Sequence, residues 1–164
     1  MKTSDILIEL QDMMDKWGNP VEAPINEAFV DSITKRKPDS LATPMLKKLG
    51  DELCFLLVNQ PDYFTFLKTM DGFEYNGLIL YSLSVPEPLD KNLFVMNDFY
   101  RDNDDFINPD LAQRLVIGND SISLFTYDNK TNLFEIRDNA ATENVFGVFD
   151  NFNEFLIEVV GTVK

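Results

Sequence analysis

The chain has 164 residues, 45% hydrophobic and 12% aromatic, enough for one domain with a substantial core and too apolar for a disordered chain. Its 28 Asp and Glu outweigh 14 Lys and Arg, and the formal net charge of -14 repels phosphate polymers and anionic lipid while drawing in basic partners. With no histidine and one cysteine, it lacks the parts for an intrachain disulfide, for histidine-activated nucleophiles and for a tetrahedral structural zinc site.

Residues 4–17 place Ile6, Leu10, Met13 and Trp17 at helical spacing, with Thr3 or Ser4 as N-cap and Gly18 and Pro20 as stops. Residues 19–43 read as a connector punctuated by Pro20, Pro24 and Pro38, holding one helix over 25–34 and a basic cluster of Lys35, Arg36 and Lys37. Thr43 and Pro44 open a third helix in which Leu46, Leu49, Leu53 and Leu57 recur at helical intervals. Cys54 sits in its apolar run over 53–58, far short of the roughly 18 residues of a membrane span, and reads as a core thiol. Pro61 and Asp62 start a fourth helix, with Tyr63, Phe66, Leu67 and Met70 on one face and Asp71 and Gly72 at its end.

After Gly72 the pattern changes. Residues 74–84 read as one strand closed by Pro86 and Pro88, and 92–100 as a short helix. A helical turn follows over 110–113. Strands are predicted over 114–117, 122–127, 133–137 and 145–149, joined by turn-forming stretches that favour an antiparallel meander. Asn151, with Glu154 three residues on, caps a final helix. Helices first, strands next and a closing helix predict an α+β fold: a mostly antiparallel sheet of five to six strands with helices on one face. Residues 1–50 read as an N-terminal helical extension of a core over 51–164, in a single domain.

Chemistry is scarce. The seven glycines form neither a P-loop nor a G-x-G-x-x-G turn, so nucleotide binding through either is unsupported. Asp102, Asn103 and Asp104 begin like a calcium loop, but Phe106 and Ile107 stand where a ligand and the glycine belong. No catalytic residue, cofactor or metal is therefore expected, and a carboxylate-pair hydrolase is the weakest alternative. The partner-facing candidates are Asp98, Tyr100, Asp102, Asp104, Asp105 and Asp110, where Phe99, Tyr100 and Phe106 interleave the acids, with Asp71 and Glu74 as a smaller patch.

Several short motifs stand in an order that resembles the SUKH superfamily, the Smi/Knr-like domains and their Yrh-like members. They are Pro61-Asp62-Tyr63 with Phe66-Leu67 and Asp71-Gly72, the strand segment Tyr75-Asn76-Gly77-Leu78-Ile79-Leu80-Tyr81-Ser82, Leu115-Val116-Ile117-Gly118 leading to Tyr127-Asp128, and Phe149 through Phe152 to Phe155-Leu156. Gln60 stands where the family usually carries Leu before the helix-starting proline. The resemblance implies a non-catalytic module of the kind that many bacterial members use as an immunity protein against a polymorphic toxin, often a nuclease; with Asp5, Glu9 and Asp12 breaking any signal-like apolar stretch, a cytoplasmic protein is expected. The expected partner is a cognate toxin with a basic surface; the alternative is a regulatory scaffold binding other cellular proteins.

Overall fold

The computed structural model describes residues 1–34, 44–101 and 108–164, with the side chains of 44–46 excepted. The basic cluster at 35–37, the Thr43 cap, and Asp102, Asp104, Asp105 and Phe106 lie outside the described residues. Helix α1 (Thr3–Lys16) ends at Gly18, whose φ of +71° lets its N–H reach Asp15 O while Asn19 N–H reaches Met14 O. Thr3 lies inside the helix rather than capping it, and its hydroxyl donates to Asn153 Oδ1 across the fold (2.9 Å). Helix α2 (Glu27–Thr34) is capped by Asn26, whose Oδ1 accepts from Phe29 N–H. Helices α3 (Pro44–Asn59) and α4 (Pro61–Thr69) follow, with Pro61 at the first position of α4, where no N–H is needed.

The segment expected as one strand over 74–84 is instead a hairpin, β1 (Phe73–Tyr75) and β2 (Leu78–Leu80), turned by Asn76 and Gly77 at φ of +48° and +81°. Two left-handed residues in a two-residue loop match the right-handed twist of the strands, which is why Asn-Gly is favoured there. A short 3-10 turn (Leu89–Lys91), α5 (Leu93–Arg101) and α6 (Pro109–Ala112) lead into the meander β3 (Leu115–Asn119), β4 (Ser123–Asp128), β5 (Leu133–Asp138) and β6 (Val145–Phe149). Helix α7 (Phe152–Gly161) closes the chain, with Asn151 Oδ1 accepting from Glu154 N–H.

The six strands form one antiparallel sheet in sequential order β1 to β6, and the fold is α+β. Alternation along β4 and β5 turns Phe125, Tyr127 and Phe134 to one face, where Tyr63 of α4 and Phe152 and Phe155 of α7 cover them. Phe134 and Phe155 stack at 5.5 Å, and Tyr63 meets Phe152 edge-on at 5.1 Å. Helix α1 packs on α4 and α7 through Ile6, Leu7, Leu10 and Met14, so the first helix shares this core. Where β2 stops pairing with β3, Asn97 of α5 takes its place. Its Nδ2 donates to Val116 O and its Oδ1 accepts from Val116 N–H, both at 2.8 Å, so the strand backbone stays paired in a buried setting.

Candidate functional site

Asp71 organises a concave surface at the end of α4. It has no exposed area, and its carboxylate accepts from Leu83 N–H (2.8 Å), Ser84 N–H (2.9 Å) and the Ser84 hydroxyl (2.5 Å). Three donors replace the lost water, which is what makes an ionised group tolerable inside a protein. Its own N–H donates to Ala23 O (2.9 Å), pinning the segment after α1 beside the hairpin. A second staple closes the following loop: the Ser82 hydroxyl reaches Val85 O and Lys91 O, and Asn92 Nδ2 donates to Val85 O. Gly72 passes beneath at φ +87°, where a Cβ would come within 2.7 Å of Ser82 N, so only glycine fits.

These contacts leave a groove of about 330 Å³. Gly72, Phe73, Leu80, Val85 and Pro88 line it, and the exposed side chains of Glu22, Glu74 and Glu87 stand at its rim. Lys91 is the one cation among the described lining residues, and it is paired with Glu74. Glu74 and Lys91 neutralise one another, so the net negative charge at the rim rests on Glu22 and Glu87. Of the residues singled out from sequence, Asp71 and Glu74 meet here, Asp71 as a buried organiser and Glu74 at the rim.

The others lie elsewhere. Asp98 is exposed on α5 beside Phe99, which is 60% exposed and meets the half-buried Tyr100 edge-on at 5.5 Å. The Tyr100 hydroxyl is hydrogen-bonded to Tyr81, whose oxygen also accepts from Asn119 Nδ2 (2.5 Å). Burial raises the Tyr100 phenol above its ordinary value, and the bond from Tyr81 lowers it in part; burial, with Tyr100 beside it, raises Tyr81. Asp110 is half-buried in α6 and accepts from the Thr142 hydroxyl (3.2 Å). Sequence reasoning missed Glu22 and Glu87, which carry no motif and reach the groove only through the fold.

It also missed an ionic network on the sheet face opposite the aromatic one. Arg114 Nε donates to Glu135 Oε1 (2.7 Å) and Arg137 to Glu135 Oε2 (2.8 Å), while Arg101 pairs with Glu52 (2.6 Å) and donates to Arg114 O. Alternation of Glu135 and Arg137 with Phe134 along β5 was the available signal. In the aromatic layer on the other face, the Tyr63 hydroxyl is buried with no hydrogen-bond partner among the described residues, and burial, then the charge of Asp71, raises its pKa.

Among the described residues no three of His, Cys, Asp and Glu converge to hold a metal ion, and no helix is long and apolar enough to cross a membrane. The chain is 56% identical over 130 residues to the uncharacterized protein YrhA of Escherichia coli (strain K12), an alignment covering 79% of this chain and 94% of that one. The chain belongs to the YrhA family. No model of a known protein family matches it, and no solved structure matches it.

Proposed function

We propose that this YrhA-family domain is a non-enzymatic, cytoplasmic protein-binding module of the SUKH type. It acts as an immunity protein that neutralises a toxin with a basic surface, a nuclease in the simplest case, by direct contact. The observation that carries the reading is the groove, where Glu22, Glu74 and Glu87 rim a concave surface on a chain of net charge -14. Enzymes that grip phosphate concentrate Lys and Arg at their clefts, and such a cleft is the complement of this rim. The resemblance of the motif order to SUKH domains points to the same class of partner.

The test is co-expression with the products of neighbouring reading frames, followed by affinity capture and a growth-arrest assay. A toxin domain should co-purify, and the chain should relieve the arrest. Reversing the rim with Glu22→Lys, Glu74→Lys and Glu87→Lys together should abolish both while leaving the melting temperature within about 2 °C, since exposed charges contribute little to stability. Absence of any captured toxin together with no relief of arrest would end the proposal.

A further inference from the structure

Strand β6 ends the sheet, so along its outer edge alternate N–H and C=O groups have no neighbouring strand among the described residues. Its sequence, Val145-Phe146-Gly147-Val148-Phe149, carries no charge and no proline, and Val145, Phe146 and Val148 are 41%, 57% and 53% exposed. The other edge is guarded differently: β1 has three residues, and Glu74 stands at its centre. Lys, Pro, bulges or very short length are the usual protections of an edge; β6 carries neither Lys nor Pro, and its one bulge, at Phe146, leaves Gly147 to Phe149 in regular pairing with β5. It is nonetheless held firmly on its inner side. Phe149 packs on Phe155 of α7 with centroids 6.0 Å apart, and its ring lies over Gly147, where a Cβ would meet it at 3.1 Å. Val148 faces the other way, opposite Glu135.

Charge selects the occupant. Glu143 and Asp150 flank the strand, are exposed, and form no ion pair with the described residues. A second copy paired antiparallel about Gly147 would set these carboxylates beside each other at both ends, between two bodies each carrying a net charge of -14. Like charges across a strand pair are destabilising. An extended segment with Lys or Arg beside its apolar residues would meet both carboxylates favourably and complete the ladder.

We infer that the outer edge of β6 is a strand-addition site for an extended, Lys- or Arg-flanked apolar segment of another protein. This rests on reading the domain as a protein-binding module, and it places a second contact of the partner away from the groove. The probe is a short labelled peptide of alternating Thr and Val with lysines at both ends, titrated against the full chain and read by fluorescence anisotropy and by hydrogen exchange. Saturable binding should slow exchange of amides within Val145–Phe149. A peptide with glutamates in place of the lysines should bind at least about ten-fold more weakly, because like charges now face Glu143 and Asp150. Val148→Lys should lose binding by a similar factor, and Phe146→Thr, which keeps strand propensity, serves the same comparison if the first variant melts early. Unchanged exchange at β6, equal binding of the two peptides, or concentration-dependent protection with a dimer in sedimentation would each overturn the inference. Since the probe is not a toxin, such a failure leaves neutralisation through the groove to be judged by growth arrest.

Discussion

Replacing Gln60 by Leu tests whether the junction between α3 and α4 is held by polar contacts or by packing. Gln60 is 3% exposed; its Nε2 donates to Asn132 O (3.2 Å), Asn132 Oδ1 (2.9 Å) and Asp150 O (3.2 Å), and its Oε1 accepts from Phe152 N–H (3.2 Å). Phe152 is the first residue of α7, so that N–H has no partner within the helix. Leucine preserves volume but orphans it, at about 1–3 kcal/mol, and each carbonyl that loses a bond adds about 0.5–1.5 kcal/mol. Asn132 Oδ1 keeps the Tyr127 hydroxyl (2.6 Å), and Asp150 is exposed to water, so the lower ends apply to both. Added apolar burial offsets about 1 kcal/mol. The net loss is about 1.5–4.5 kcal/mol, or roughly 3–18 °C in melting temperature for a domain of this size. Thermal and urea unfolding of the two proteins measure it. Gln60→Glu should lose more at neutral pH, because a carboxylate then faces two carbonyls and an amide oxygen. A leucine variant as stable as the parent would refute the polar clamp.

Glu135→Ala strips Arg114 and Arg137 of their shared carboxylate inside the fold, and the urea midpoint should report a loss of about 3–5 kcal/mol. Alkaline stability should follow the tyrosines: burial, and then Asp128, pushes Tyr127 up to about 12, and burial also raises Tyr63, Tyr81 and Tyr100. Each folded-state pKa lies above the unfolded one, so their contribution is complete below about pH 10 and is lost as pH rises toward and past 12, at up to about 1.4 kcal/mol per pH unit per group. Native-state absorbance titration showing these phenols ionising near 10 would contradict the cause given. Gly118→Ala would drive a Cβ into Ile79 O and close to Leu80, backbone of the paired strand, and should yield little folded protein by circular dichroism.

Periodicity and turn chemistry made the helices, the meander and the N-cap at Asn151 readable, because these signals are local, while the cap at Asn26, inside the stretch read as helix from 25, went unnoticed. The β1–β2 hairpin had an equally local signal in Asn76-Gly77, but the apolar run spanning it reads as one strand when strand composition is weighed above turn residues. The groove was half legible. Asp71 and Glu74 drew notice as acids beside a glycine, but that one is a buried staple and the other a rim charge depends on Leu83 and Ser84, many residues away. Glu22 and Glu87 were invisible for the same reason: no spacing within the chain relates them, and only the Asp71 to Ala23 bond and the stapled loop bring them to one rim.

The buried network changes what the net charge means. Arg101, Arg114 and Arg137 are spent on Glu52, Glu135 and Asp128, so of 28 acids and 14 bases, 25 and 11 are left for the rest of the molecule, still differing by 14. Arginine is the side chain best suited to fork onto carboxylates and to sit at interfaces, and three of the chain's four arginines are committed to its interior. The cations left over are mostly lysines on flexible stems, and Lys91 at the groove is already taken by Glu74. A partner approaching the rim therefore meets carboxylates with few rigid cations to compete for them. If the rim receives a partner's cation as proposed, arginine should satisfy it better than lysine, since a guanidinium can pair with a carboxylate through two hydrogen bonds where an ammonium offers a point charge.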